Sequence, residues 1–326
     1  MVFLYSTSVI FAIIAILITL LIKLITWFIY PYTYYKNNLS KNSGLVVTIH
    51  TGGSHALLKN YDLLTNTTEL TDLSIVIPAY NEQDRLSSTL DATIEFLNKW
   101  AKQKPLSWEI VLVNDGSKDK TIDVIQRYCN KYYNIKGVSF SFNCGKGAAV
   151  KYGMLCSNGK SILMMDADLA TDINDLPKIY EKLIQTTANE HGMSVGTRKV
   201  IEKGKVVKRS ALRKLLMFGL HIILKCLCKV EISDTQCGFK IFTRKTAAVI
   251  FPAQHIDRFA FDVELCMLAQ KNGIHISEQS VTWTEIPGSK VRICRDTAVM
   301  MRDILMTWLL YTLKKWKSTD NSVATK

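Results

Sequence analysis

Four short apolar runs, each ending in a polar loop, constrain this chain more than any other feature. LSIVIP (73–78), EIVLV (109–113), GVSFSF (137–142) and SILMM (161–165) are strand-length and bounded by turn residues. Between the first two, Gln83 to Lys99 carries Leu86, Leu90, Ile94 and Leu97 at helical spacing. A second helical pattern runs through Tyr128, and Asn143-Cys-Gly-Lys-Gly opens a third that reaches Leu155. Strand, loop and helix in repetition predict an α/β chain with a mostly parallel sheet and helices on both faces. In such sheets ligands gather beyond the carboxyl ends of the strands. The polar loops all fall there: AYNEQ (79–83), NDGSKD (114–119), NCGKG (143–147) and DADLATD (166–172).

The last loop carries the sharpest chemistry. Asp166 and Asp168 leave an extended backbone on the same side, because side chains alternate with period two. Like charges so close raise the cost of ionising each other, so a cation belongs between them. Mg²⁺ is typically held by one or two carboxylates together with substrate phosphates, and that is the site expected here. Asp172 or Asn174 supplies the ordinary alternative role for such residues, a helix N-cap. Asp115 is placed to accept from a base or ribose donor. Gly145 and Gly147 let backbone N–H groups approach a phosphate at a helix N-terminus. Gly145-Lys146-Gly147 does not match the GxxxxGK[ST] of a P-loop.

The rest of the sequence says where this chemistry is held. Met1 to Ile22 has no charged side chain, and after Lys23 the apolar run resumes through LITWFIY to Pro31. That length suits a membrane anchor, which needs about 20 residues. Trp27, Tyr30, Tyr32, Tyr34 and Tyr35 make an interfacial belt, so residues 1–35 read as anchor and belt. Lys36 and Lys41 follow the segment, and no Lys or Arg precedes it, which points the body to the cytosol. Residues 36–71 read as an irregular stalk, 72–291 as the catalytic domain and 292–326 as an amphipathic helix and tail. The net charge of +13 is concentrated: between Arg198 and Lys229 there are ten basic residues and one acid, Glu202. VVKRSALRKLLMFGLHIILKCLC (206–228), within residues 206–229, reads as a membrane-interfacial helix. Trp308, Leu309, Leu310 and Leu313 suggest a second one. A nucleic-acid partner is excluded by the apolar content of the basic segment and by the anchor. The eight cysteines show no metal or redox spacing and read as buried thiols.

Ser74-Ile-Val-Ile-Pro-Ala-Tyr-Asn-Glu82, Val113-Asn-Asp-Gly-Ser117 and Asp166-Ala-Asp168 resemble the nucleotide-sugar half of inverting GT-A glycosyltransferases, whose sheet is Rossmann-like. Asp234-Thr-Gln-Cys-Gly-Phe-Lys-Ile-Phe-Thr-Arg244, Arg258-Phe-Ala-Phe-Asp-Val-Glu-Leu265 and Trp283-Thr-Glu-Ile-Pro-Gly-Ser-Lys290 narrow the resemblance to the dolichyl-phosphate β-glucosyltransferases, from about Leu73 to Trp316. That resemblance implies inverting transfer of glucose from UDP-glucose to dolichyl phosphate, at the cytosolic face of the endoplasmic reticulum. It implies that Pro78, Ala79, Tyr80, Glu82, Val113 and Asp115 surround the nucleoside, with Lys146 and the backbone of Ala167 also on the donor. It assigns Mg²⁺ or Mn²⁺ to Asp166 and Asp168, and the two phosphates to Arg198, Arg213 and Lys290. Asp262 and Glu264 stand in the region where related enzymes that glycosylate hydroxyls keep a base, and Asp262 is open to an orienting or sugar-binding role or to that of a structural cap or ion-pair partner. Asn114 replaces the Asp frequent in the pattern, and Ala170 stands where related mannosyl enzymes have a Gln ligand. The competing readings are a GDP-mannose-dependent dolichyl-phosphate mannosyltransferase and a non-catalytic nucleotide- or lipid-binding membrane protein.

Overall fold

A computed structural model describes residues 13–30, 47–51, 54–57, 71–187, 190–200, 232–286 and 293–318. The sheet begins earlier than the sequence pattern suggests. β1 (Val47–Thr51) and β2 (Ser54–Leu57) form an antiparallel pair inside the segment expected to be irregular stalk, and β1 continues the sheet by pairing with Val47 opposite Phe140. Five and four residues are too few for a periodic signal; only the neighbouring edge makes them strands.

The four apolar runs become β3 (Thr71–Ala79), β4 (Trp108–Asn114), β5 (Ile135–Phe140) and β6 (Gly159–Met164). β7 (Gly192–Val200), β8 (Lys240–Thr243) and β9 (His275–Trp283) complete a nine-stranded sheet among the described residues, in the order β2-β1-β5-β4-β3-β6-β8-β7-β9. Only β1 and β8 run against the rest. Both faces are buried, as a doubly covered sheet requires. Leu73, Ile75, Ile77, Ile110 and Leu112 enter one core, while Val76, Val111 and Val113 enter the other.

Among the described residues the α-helices are α1 (Ile13–Tyr30), α2 (Leu86–Gln103), α3 (Thr121–Lys131), α4 (Lys146–Leu155), α5 (Leu176–Thr187), α6 (Arg244–Ala253), α7 (Phe261–Lys271) and α8 (Ile293–Thr312). β3 has β4 and then β5 on one side and β6 on the other, so the chain reverses direction across the sheet between β3 and β6. A crevice opens at such a switch point. α1 has a mean hydropathy of 2.4 with its side chains outward, long and apolar enough to cross a membrane.

α8 departs from the interfacial expectation. Ile304, Met306, Leu310, Tyr311 and, beyond its end, Trp316 are buried in the main core, with Trp308 and Leu309 partly covered. Its apolar stripe is therefore satisfied by protein; Leu313 is left exposed. The expected helix of residues 206–229 lies outside the described residues.

Candidate active site

The rim is assembled from loops that bond one another before any ligand is considered. Asn81, at φ +53°, takes the left-handed turn that Asn tolerates better than most residues. Its N–H donates to Ser117 Oγ at 3.0 Å, and its Oδ1 accepts from the Lys118 N–H at 2.8 Å. The Glu82 N–H donates to Thr121 Oγ1 at 2.8 Å. Asn114 Oδ1 accepts from the Ser117 N–H at 3.0 Å and closes the NDGS turn. An Asp oxygen would accept the same bond, which explains why Asn114 suffices there.

Asp115 does something the sequence does not disclose. Its buried carboxylate accepts from the Cys144 N–H (2.7 Å), the Gly145 N–H (2.9 Å) and Asn143 Nδ2 (2.8 Å). It is thus the anion that the Cys144 and Gly145 N–H groups bind, so the Gly145 side of the expected phosphate cradle is already filled by a side chain. Burial pushes the pKa of Asp115 up to about 6, although the two N–H bonds pull against it. Gly145, at φ +112°, and Gly147 also lack room for a Cβ, because the backbone of Asp257 and of Ile256 lies against them. These glycines serve close packing of a strap, residues 254–260, onto the loop. Val113 and Ala79 are buried as well, and the Ala79 carbonyl accepts from the Asp115 N–H at 2.9 Å. Pro78, Tyr80 and Glu82 are half-buried at the rim.

At the end of β6, Asp166 and Asp168 flank buried Ala167, whose carbonyl accepts from Thr89 Oγ1 at 2.8 Å. Lys146 Nζ lies 2.5 Å from Asp166 Oδ1. Burial opposes the Lys146 charge, but Asp166, Asp262 and Asp168 together outweigh it and hold its pKa above the ordinary value. Asp168 accepts from the Ala170 N–H at 3.0 Å and has Arg85 Nη1 4.0 Å away. Burial, then the neighbouring Asp166, push its pKa up. Arg85 itself is gripped by Glu82 through Nε and Nη2, both at 2.8 Å. It is a site residue the sequence reading missed; its one signal is a cation directly after the acidic NEQD. Asp172 caps the following turn by accepting from the Asn174 N–H at 2.9 Å.

The far wall is the stretch DTQCGFK. Arg198, on β7, forks onto Asp234 through Nε (2.6 Å) and Nη2 (2.7 Å) and lies over the Trp283 ring at 5.6 Å. Burial opposes its charge, and Asp234 more than restores it. Gly238 sits directly against the Asp166 carboxylate, where a Cβ would collide with it. Lys240, wholly buried, donates to the Cys237 carbonyl at 2.6 Å and pairs with Asp262. Burial pushes the Asp262 pKa up, while Lys240 and Lys146 draw it back. The ion-pairing alternative for Asp262 is therefore the geometry found. Glu264 faces away, accepting from the His255 and Ile256 N–H groups at 2.9 and 2.7 Å and from Tyr311 Oη at 2.8 Å. Arg213 and Lys290 lie outside the described residues.

The site thus gathers two adjacent carboxylates, a lysine and an arginine at the mouth of the β3–β6 crevice. A family model described as glycosyl transferase family 2 matches residues 74–251. A dolichyl-phosphate β-glucosyltransferase of Dictyostelium discoideum is 46% identical over 249 residues, covering 75% of this chain and 76% of that protein. The chain belongs to the dolichyl-phosphate β-glucosyltransferases of glycosyl transferase family 2. The Homo sapiens member is 41% identical over 250 residues, covering 75% of this chain and 77% of its own, and the Saccharomyces cerevisiae member is 35% identical over 254 residues, covering 74% and 75%. The fold resembles that of mannosyl-3-phosphoglycerate synthase from Rubrobacter xylanophilus, with TM-score 0.50, 15% identity and 75% and 74% of the two chains covered. This is the GT-A arrangement expected for the family.

Proposed function

We propose that the protein transfers glucose from UDP-glucose to dolichyl phosphate with inversion. Its domain would lie at the cytosolic face of the endoplasmic reticulum membrane, held by α1. The observation that carries the reading is the Asp166–Asp168 pair, partly buried at the switch point and neutralised by Lys146 and Arg85. Those cations occupy the place that a hard divalent ion and a diphosphate would share. Among the described residues no group of three or more His, Cys, Asp or Glu forms a cage. Two carboxylate donors with waters and phosphate oxygens complete the kind of shell that Mg²⁺ or Mn²⁺ accepts, so the residues fit such an ion. Bound there, it would supply charge stabilisation to the leaving diphosphate.

The chain's own residues do the rest. An oxygen of the acceptor phosphate, ionised at neutral pH, attacks the anomeric carbon from the face opposite the donor phosphate. The bond to the UDP oxygen breaks, and its electron pair leaves with UDP. No proton has to be removed from the nucleophile, so the pairing of Asp262 with Lys240 is no obstacle. Lys146 directly follows Gly145, whose N–H Asp115 holds, and can follow charge from Asp166 to the diphosphate as it develops. Glu82, through Arg85, links the nucleoside rim to Asp168. Arg198, held flat by Asp234 and Trp283, offers a pre-oriented positive wall to phosphate. Two anions must meet here, and the cations offset their repulsion.

The test is transfer of label from UDP-glucose or GDP-mannose to dolichyl phosphate, with Mg²⁺ or with EDTA. Transfer from UDP-glucose alone, abolished by EDTA, is expected. Transfer from GDP-mannose would overturn the donor, and metal-independent transfer would overturn the role of the aspartates.

A further inference from the structure

Pro31 follows the last residue of α1 and has no N–H. The carbonyl four residues earlier, that of Trp27, is thereby deprived of its helical donor by sequence alone. The final turn of a helix leaves its carbonyls without partners in any case, and in apolar surroundings such a group must find one. The partner comes from far along the chain. Arg302, on α8, donates through Nη1 to the Trp27 carbonyl at 3.3 Å. Its guanidinium lies over the Trp27 ring at 4.9 Å and the Tyr30 ring at 5.7 Å. The other edge of the same guanidinium is held by Asp303, through Nε at 2.9 Å and Nη2 at 2.6 Å. Arg302 is 8% exposed and Asp303 3%. Phe28, in the same turn of α1, packs against the main core. A cation at a helix C-terminus also meets the negative end of the helix dipole.

α8 is in turn fastened to the site. Tyr311 donates to Glu264, which holds the N–H groups of His255 and Ile256, and Trp316 stacks on the His255 ring at 4.2 Å. That strap presses on Gly145 and Gly147, beside Lys146. The anchor is therefore continuous with the wall of the crevice through packed, hydrogen-bonded groups.

We propose that Arg302, neutralised by Asp303, is a bracket that docks the membrane helix and fixes the height and tilt of the crevice above the bilayer. It is a positioning residue for an acceptor delivered from the membrane, and this rests on the reading that the acceptor is a polyprenyl phosphate. A flexible tether would hold the domain near the membrane; a capped and stacked helix end holds it in one orientation. Orientation matters because a reacting phosphate on a lipid chain can move in the plane of the bilayer but not freely along its normal.

The test uses the full chain in lipid vesicles and compares two acceptors: long-chain dolichyl phosphate in the bilayer and a short, water-soluble polyprenyl phosphate. Arg302→Met alone leaves Asp303 buried and unpaired, so the main variant is Arg302→Met with Asp303→Asn; Arg302→Lys is the conservative control. The double variant is expected to lose at least about tenfold in kcat/KM for the bilayer acceptor and to stay within about twofold for the soluble one, with partial recovery in the lysine variant. Equal loss with both acceptors, or no loss with either, overturns the bracket. Spin labels at the exposed positions Ile25 and Leu313 give a readout independent of turnover. A narrow distance distribution in the wild-type background that broadens in the double variant supports docking, and equal widths refute it. Should the wild-type protein glucosylate neither acceptor, the proposed function fails, and the label distances still decide whether the helix is docked.

Discussion

The two sides of the crevice are built from different materials. Along β3, β4 and their loops, Asn81, Asn114, Ser117 and Thr121 tie the rim mostly with neutral side chains bonding backbone groups, with Asp115 and the Glu82–Arg85 pair as the charged members. Across the crevice, Lys146–Asp166, Arg198–Asp234 and Lys240–Asp262 build the wall from ion pairs, all partly or wholly buried. Neutral bonds set a shape and have little reason to rearrange when a charged ligand enters. Ion pairs can exchange a protein partner for a phosphate or a metal ion, and each pair broken without replacement leaves a buried charge. The first side is a mould, and the second is a set of charges waiting for others.

That contrast can be broken most severely at the carboxylate pair. Asp168→Ala should lower kcat/KM for UDP-glucose by at least about 100-fold while the thermal midpoint changes little, since the Asp168 side chain is itself only partly buried and like-charged Asp166 stands beside it. Steady-state kinetics beside a melting curve decides; preserved turnover would remove Asp168 from the site. Next in size is Lys240→Met, which strands Asp262 in the core and should cost about 3–5 kcal/mol of stability by denaturant titration. Adding Asp262→Asn should return much of that loss. If it does not, the pair is not what the wall depends on.

A smaller effect sharpens the comparison through pH. Asp115 and Asp257 have pKa values pushed up by burial to about 6 and about 7. Such groups are more easily protonated folded than unfolded. Their stabilising contribution is complete below the unfolded value, about 3.9, and is lost as pH rises through 6 to 7. The thermal midpoint should fall between pH 5 and pH 8 for this reason, and Asp257→Asn should flatten that decline. The smallest change is expected on the neutral side. Asn114→Asp keeps the acceptor for the Ser117 N–H but sets a second carboxylate beside buried Asp115, and should cost no more than about 1–2 kcal/mol by denaturant titration. A large penalty there would mean that the mould, too, depends on charge.

Much of the scaffold was legible beforehand. Apolar runs near Ile75, Ile110, Val138 and Leu163 announce buried parallel strands because such strands are covered on both faces and need no polar alternation. Asp166 and Asp168 were legible because the period of an extended chain is two. The β1–β2 pair was not, since nothing local distinguishes five residues of edge strand from an extended loop. Arg85, Gly238 and Lys240 escaped as site residues for a different reason. Each acts on a residue distant in sequence, and only Asp168, Asp166 and Asp262 give them meaning.

By itself, the sequence determined the α/β order, an N-terminal helix apolar and long enough to cross a membrane, the paired aspartates and a helix end that Pro31 leaves one donor short. Those follow from periodicity, composition and covalent chemistry, which act over a few residues. The tertiary structure alone decided that Asp115 fills the Gly145 side of the glycine loop, that Lys240 claims Asp262, that α8 buries its apolar stripe, and that Arg302 supplies the donor Trp27 lacks. Each is a choice among partners that local sequence leaves equally available, and it is settled by which groups the folded sheet brings within hydrogen-bonding distance.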